Sequence, residues 1–563
     1  MKIANKELLD DFVQSHAQAA NPRYFIWSDS KVDKMITRTD PMIHDSKYYS
    51  IMRKYLCILC LVAAQTSAQT FMQYTTTEQL PWQTKGKIKA YPQPLPKGGE
   101  AVCFQVTESP SLGEGKGVGS TFKAWGTCFN ELDLDAIRLL KPEEQEKIMH
   151  DIFAPDGDLR FTRGRLTMNA NDYSRAWYSC DTVAGDFQLK YFNIEHDKAN
   201  VIQLIKMAQK WQPAMTFWVS PWSPPSWMKI NQDYCVASSP YNTQPKEKDY
   251  LLFDDGGVPD PNEMQFLGER KGLFPKKLAS QNYFIQDPRY LQAYANMFCK
   301  FIDLYAEENI PIDMVMYQNE AYSYTPYPGC AWTAEGTIRF NKEYLAPALR
   351  AKHPEVKLYV GTFNTNRQDY VQRIVNGLQG CVEGLGFQWE GRENLDYMRE
   401  HHPDLHMVSS ESECGNGQMD WRAGEHTFYL LHEYIGRGCD EYYNWNFILC
   451  NQGRSAWGWK QNALVQVITS PTGGGREGAT YRYTPEYYAY KHFSHFVEPG
   501  STLLAFYPIK DGLQAIVFQR PDGKRVVICG NTNNEARELS IPVGKRYLTA
   551  TLAAHSFNTF VEK

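Results

Sequence analysis

Three things are scarce in this sequence, and each scarcity closes off a class of function. Positive charge is not in excess: 59 Lys and Arg stand against 64 Asp and Glu, a formal net charge of −5. No basic field exists to hold nucleic acid or an anionic membrane. Cysteines do not pair into metal sites. Thirteen are scattered, and the one close pair, Cys57 and Cys60, sits inside an apolar run, which is no zinc site. Setting those two aside leaves an odd number, so a disulfide framework is not expected, although one or two bridges remain open. Long apolar runs are also missing: the stretch Tyr55 to Ala64 has ten residues, too few to span a bilayer. No stable membrane insertion is expected.

What is present in excess is aromatic. Aromatic residues make up 14% of the 563-residue chain, with 14 Trp and 35 Tyr. Many belong to the core, but flat rings also suit the apolar faces of sugars, and a near-neutral chain favours a neutral partner. The length allows a large barrel plus a second domain. Near the start, MRKYLCILCLVAAQTSAQT has a basic pair (Arg53, Lys54), an apolar stretch and small residues ending at Ala68. That is the layout of a secretory signal peptide over residues 52–68, so the protein is expected to be exported, periplasmic or extracellular. A buried helix is the competing reading. Since the signal begins at Met52, residues 1–51 are expected to come from an upstream misassigned start; sequencing the exported protein's N-terminus near Gln69 would check this.

From about Gly119, short apolar strands alternate with helical patterns, the signature of repeated β/α units. Eight stretches read as strands: FKAWGTCFNE, LRFTRGRLTMN, AMTFWVSPW, IDMVMYQNE, VKLYVGTFN, VEGLGFQWE, LHMVSSES and DEYYNWNFIL. Eight is the number that closes a (β/α)₈ TIM barrel, placed at 119–496. After Pro499-Gly500 the pattern turns to short strands joined by KDG and PDG turns. Residues 497–563 therefore read as an appended C-terminal β-sandwich, with strands from 84–118 completing it. The Pro-, Gly- and charge-rich segment between Cys235 and Gln286 follows the third strand. It reads either as a functional loop on the catalytic face or as disorder.

Two glutamates stand where a hydrophobic strand breaks into a polar turn: Glu320 ending IDMVMYQNE, and Glu411 in HMVSSESECGNG. A strand-end glutamate is ordinarily only solvated. Two of them, with the tryptophan-bearing SPWSPPSWMK on the same barrel face, supply the carboxylate pair that cleaves a glycosidic bond. Glu413 is a rival for Glu411, since alternation puts it on the same side if the strand continues. The turn-like CGNG favours a strand that ends at Glu411.

On these motifs the chain resembles glycoside hydrolase family 30, the retaining β-glycosidases that include glucosylceramidase, β-1,6-glucanase and β-xylosidase. The resemblance runs from about Phe122 to the C-terminus. It implies that Glu320, after Asn319, is the acid/base and that Glu411, after Ser410, is the nucleophile. It further implies that Arg165 supports the nucleophile and Asp172 holds sugar hydroxyls. Trp222, Trp445 and Asn462 carry over as binding groups. One departure stands out: where the family commonly has histidine and tyrosine after strand six, this chain reads GFQWEGR, giving Gln388 and Glu390. Either Glu390 faces the sugar as a specificity group or the register of that strand differs.

The implied reaction is double displacement. Glu320, protonated at rest because of burial and the neighbouring carboxylate, serves the leaving oxygen; Glu411 attacks the anomeric carbon; water then releases the sugar with retained configuration. A carboxyl separation of about 5–5.5 Å is expected, and no cofactor or metal is called for. The rivals are an endo-xylanase, a β-xylosidase or a β-fucosidase of the same clan, and a carbohydrate-binding barrel that has lost catalysis.

Overall fold

The computed structural model describes residues 69–91, 102–103, 118–249, 282–323, 325–469 and 478–563. The expected signal segment 52–68, residues 1–51, much of 84–118 and the greater part of the 235–286 insertion lie outside the described residues. Thr70–Lys563 forms one compact unit.

The described chain starts with β1 (Thr70–Thr77) and β2 (Gln83–Lys89), an antiparallel pair, followed by the short β3 (Val102–Cys103). β1 lies ahead of the segment expected to supply strands. Its alternating burial marks it as half-covered sheet. Eight parallel strands then close a barrel: β4 (Ala124–Cys128), β5 (Arg163–Met168), β6 (Thr216–Pro221), β7 (Ile312–Met316), β8 (Lys357–Phe363), β9 (Gly384–Phe387), β10 (His406–Ser409) and β11 (Glu441–Asn444). Each falls inside one of the eight predicted stretches. The last stretch also contains the start of β12 (Ile448–Cys450), which pairs with β13 (Val465–Ile468), itself paired with β14 (Thr480–Tyr483).

Trp218, Met314, Met316, Tyr359, Val408 and Tyr443 fill the barrel as a cluster of their own. Room for such large rings comes from glycine. A Cβ on Gly126 would lie 2.5 Å from Tyr443 ring atoms, and one on Gly384 would lie 2.4 Å from the Tyr359 ring. Helices such as Pro288–Glu307 cover the outside, burying one face and leaving the other wet.

The remaining strands, β15 (Thr502–Lys510), β16 (Leu513–Gln519), β17 (Arg525–Asn531), β18 (Arg537–Val543), β19 (Arg546–Leu552) and β20 (Ser556–Glu562), build the sandwich. One sheet runs β15-β16-β17-β20-β1-β2 and the other β19-β18-β3, around an aliphatic core that includes Leu513, Val527, Ile541 and Phe560. The KDG turn is a tight hairpin in which Asp511 and Gly512 both take positive φ (51° and 71°), as a two-residue turn between twisted strands requires. The helix Pro485–Ser494 joins barrel to sandwich through buried His492, whose ring nitrogens bond Thr559 Oγ1 (2.8 Å) and Thr76 Oγ1 (2.9 Å).

Candidate active site

Because all eight barrel strands run in parallel, their C-terminal ends meet on one face, and polar residues there converge. Beyond β7 the chain is held by both neighbouring strands. Asn319 N–H donates to Pro221 O (2.8 Å), Gln318 Nε2 donates to Trp222 O (2.6 Å), and Glu320 N–H donates to Thr362 Oγ1 (3.1 Å). Under this hold Glu320 adopts φ 44°, in the left-handed region, which costs a non-glycine residue about 1 kcal/mol or more. A strained residue persists only where its surroundings over-determine it.

At the end of β10, Ser410 N–H donates to Phe387 O (3.0 Å), and the next residue, Glu411, enters the barrel mouth buried. Arg165, fully buried on β5, is the hub. Its guanidinium donates to Glu411 Oε2 (2.6 Å), Ser410 O (3.2 Å), Ser220 Oγ (3.1 Å) and Asn319 Oδ1 (2.8 Å). It also lies 4.5 Å from the Trp222 ring centroid and 4.7 Å from that of Trp218. Arg165 thus links the Glu411 carboxylate directly to the residue that precedes Glu320.

Glu320 has a different escort, made of neutral groups. Gln388 Nε2 donates to Oε1 (3.1 Å), while Ser323 Oγ (3.0 Å) and Tyr327 Oη (3.2 Å) donate to Oε2. Burial pushes the carboxyls of both Glu320 and Glu411 above the usual range. At Glu411, whose pKa rises to about 7, Arg165 is the main opposing influence; at Glu320 the push is opposed by Gln388, Ser323 and Tyr327 ahead of Arg165. Asp172 is also pushed well up, by burial and then by Glu411 and Glu320. Three buried carboxyls share one guanidinium.

The rival carboxylates fall elsewhere. Glu413 turns to His426 Nε2 (2.5 Å) and Arg392 (3.4 Å), and this pairing holds its pKa below the usual value. It has no place beside Arg165. Glu390 lies past Gln388 in the helical turn Trp389–Asn394, half-buried.

Trp222 and Trp445 stack on each other with centroids 4.9 Å apart at 22°, both buried, and pack against the Arg165 guanidinium. Asn462 is committed to its own protein. Its Oδ1 accepts from Gly417 N–H (2.8 Å) and Met419 N–H (3.3 Å), and its Nδ2 donates to Glu486 (2.6 Å). It secures the loop that follows Glu411 rather than presenting an open amide.

Several neighbours were not singled out from sequence. Tyr327 and Ser323 lie in the polar turn after Glu320, where no spacing rule marks them. Trp389, at φ 50°, brings its indole N–H close enough to favour the charged form of Glu411, though outside direct hydrogen-bond geometry. It lies between Gln388 and Glu390, the positions at which the resemblance led to an expected histidine and tyrosine. An amide chain also crosses the barrel mouth, from Asn171 to Asn130 (2.9 Å), to Asn446 (3.0 Å) and to Gln461 (3.0 Å).

Comparison with known proteins follows the same lines. Residues 122–248 and 280–497 match the "Glycosyl hydrolase family 30 TIM-barrel domain", and residues 500–560 match the "Glycosyl hydrolase family 30 beta sandwich domain". Among curated relatives, the lysosomal acid glucosylceramidase of Mus musculus is 23% identical over 444 residues, 74% of this chain and 76% of its own. An endo-1,6-beta-D-glucanase of Aspergillus fumigatus is 22% identical over 436 residues, 73% of this chain and 78% of its own. The solved structure of the endo-beta1,6-glucanase BT3312 shares the fold, with TM-score 0.64 at 19% identity over 88% of this chain and 98% of that one. A barrel and a sandwich that both match, and together span most of the described chain, establish that the protein belongs to glycosyl hydrolase family 30 and is a retaining glycosidase acting on β-glycosides.

Proposed function

We propose that this chain hydrolyses β-linked glucosides, with Glu411 as nucleophile and Glu320 as acid and then base. The observation that carries the assignment is the asymmetry of escort: Glu411 is bound by a buried guanidinium at 2.6 Å, whereas Glu320 has only neutral donors. The guanidinium holds and aims a carboxylate, whereas Glu320 has no counter-cation in contact and its charge is stabilised by neutral donors alone.

In the first step Glu411 Oε attacks the anomeric carbon while Glu320 gives its proton to the departing oxygen. A glycosyl ester forms and the aglycone leaves. In the second step Glu320, now ionised, takes a proton from water, whose oxygen displaces Glu411 from the anomeric carbon. Two inversions give retention. Asp172, buried among the reacting carboxyls, offers hydrogen bonds to sugar hydroxyls. The preference for glucose rests on the curated relatives, since a glucosylceramidase and a 1,6-β-D-glucanase share a β-glucosyl unit. Export by the segment at 52–68 places the enzyme outside the cytoplasm, in reach of such glycans; the support is the sequence layout alone.

Two measurements test the reading. NMR of nitrophenyl β-glucoside hydrolysis should show the β anomer released first, and α first would overturn it. With azide, Glu411→Ala should yield the α-glucosyl azide and Glu320→Ala the β-glucosyl azide; the reverse would exchange the two roles.

A further inference from the structure

Beyond the carboxylates lies a set of aromatic rings that the two-step reaction does not use. Tyr327, which donates to Glu320 Oε2, meets the half-buried Trp459 edge-on with centroids 5.5 Å apart. Further out, Trp177 stacks on Tyr234 at 5.1 Å and 14°, and the Trp457 indole N–H donates to Tyr234 Oη (3.3 Å). Tyr234 and Trp459 both pack against the cluster that contains Trp222, Tyr327, Trp445 and Trp457. The rings are therefore continuous with the reaction pocket.

The turn that presents two of them is built for the purpose. Ser455 N–H donates to Trp459 O (2.7 Å), closing a tight loop through Gly458, which takes φ 90°. A Cβ there would lie 2.6 Å from the Tyr241 ring, so only glycine lets this turn close against the loop after β6.

We propose that Trp459, Tyr234 and Trp177 form a leaving-group subsite that stacks saccharide units on the Glu320 side of the scissile bond, which makes the preferred substrate a glucan chain. The inference rests on Glu320 being the acid, because the acid protonates the departing oxygen and so marks the side on which the leaving group lies. The occupant follows from the surface. Flat, half-covered rings match the apolar face of a sugar. A lipid aglycone needs a contiguous aliphatic patch, yet among the described residues of loops 169–194, 222–249 and 451–464 the exposed large hydrophobics are Val183, Tyr191, Ile230 and Tyr241, of which only Val183 and Ile230 are aliphatic.

The test compares two substrates on the full chain. In Trp459→Ala, and separately in Trp177→Ala, the ratio of kcat/KM for a β-1,6-linked glucotetraose to that for nitrophenyl β-glucoside should fall about tenfold. An unchanged ratio, whether both substrates keep their rates or lose them together, would overturn the subsite. So would faster hydrolysis of micellar glucosylceramide than of glucotetraose by the unmodified enzyme. Calorimetry of glucotetraose binding in a Glu411→Ala background separates the two layers of the argument. Weakened binding in the ring variants supports the subsite even where the acid and nucleophile assignment fails, and unaltered binding rejects the subsite while leaving that assignment standing.

Discussion

The two ends of the barrel each carry an arginine from the same strand, two residues apart on β5, Arg163 partly buried and Arg165 fully so, and they do opposite things. At the bottom, Arg163 pairs with Asp313 (2.9 Å from Nη1 to Oδ2) and with Glu441 (3.4 Å), while Tyr443 donates to Glu441. The neighbouring carboxylates hold the guanidinium charged despite its burial. Two carboxylates flank this one guanidinium, and the cluster acts as a plug. At the top, Arg165 has Glu411 in contact, with Glu320 and Asp172 close enough for their charges to be felt, and all three carboxyls are pushed up by burial. One cation cannot neutralise three anions, so protons stay on the site. The same residue type on the same face of one strand thus gives a structural ion-pair cluster where two carboxylates flank the cation, one of them partly exposed, and a proposed proton-transfer site where three buried carboxyls lie within reach of its charge.

The comparison breaks most severely at Glu411, the proposed nucleophile. Glu411→Ala should reduce kcat/KM for aryl glucosides by about 10⁴-fold or more with little change in melting temperature, measured by steady-state kinetics and calorimetry. The arginines should then separate cleanly. Arg165→Met leaves a buried carboxylate unpaired, and kcat/KM should drop about 10²- to 10³-fold. Its acid limb should move to higher pH, because losing the cation raises the Glu411 pKa. Arg163→Met should instead cost about 2–4 kcal/mol of unfolding free energy and leave kcat/KM within about threefold.

A smaller effect sharpens the top of the barrel. Tyr327→Phe and Gln388→Leu each remove a hydrogen bond that favours the ionised form of Glu320. The alkaline limb of kcat/KM should shift up by about half a unit to one unit in each, the opposite limb from Arg165→Met.

Away from both ends, His492 at the junction with the sandwich is held neutral by burial, with its pKa lowered to about 3. The unfolded chain takes up a proton below about pH 6.5 while the folded chain does not. The stability this histidine contributes is whole above that pH and is lost as pH falls toward 3, at about 1.4 kcal/mol per unit. The stability gap between the unmodified protein and His492→Gln should therefore narrow on acidification from 6.5, as followed by denaturant titration.

The barrel was legible because each strand shows itself twice, by its apolar run and by the polar turn that ends it. Glu320 and Glu411 could be found for the same reason. Choosing Glu411 over Glu413 was harder, since alternation allows both. What separates them is Arg165 on one side and the Arg392 and His426 pair on the other, and such long-range partners leave no trace in local pattern. Asn462 shows the limit from the other direction: its surroundings in sequence resembled a binding amide, but its contacts are set by Gly417, Met419 and Glu486. Trp389 and Tyr327 reach the carboxylates only because the turns after β9 and β7 fold back across the mouth. β1 escaped notice because it follows directly on the signal-like segment.

The central claim is that Arg165 fixes the reacting charge on Glu411 and on no other carboxylate of this crowded site. Reaction with a 2-deoxy-2-fluoro β-glucosyl fluoride, which forms the glycosyl ester readily and releases it slowly, followed by digestion and mass spectrometry, tests it most directly. The account predicts one fluoroglucosyl group per chain, on the peptide containing Glu411 and assigned to that residue by fragmentation. A label on Glu413, Glu390 or Asp172 would contradict it.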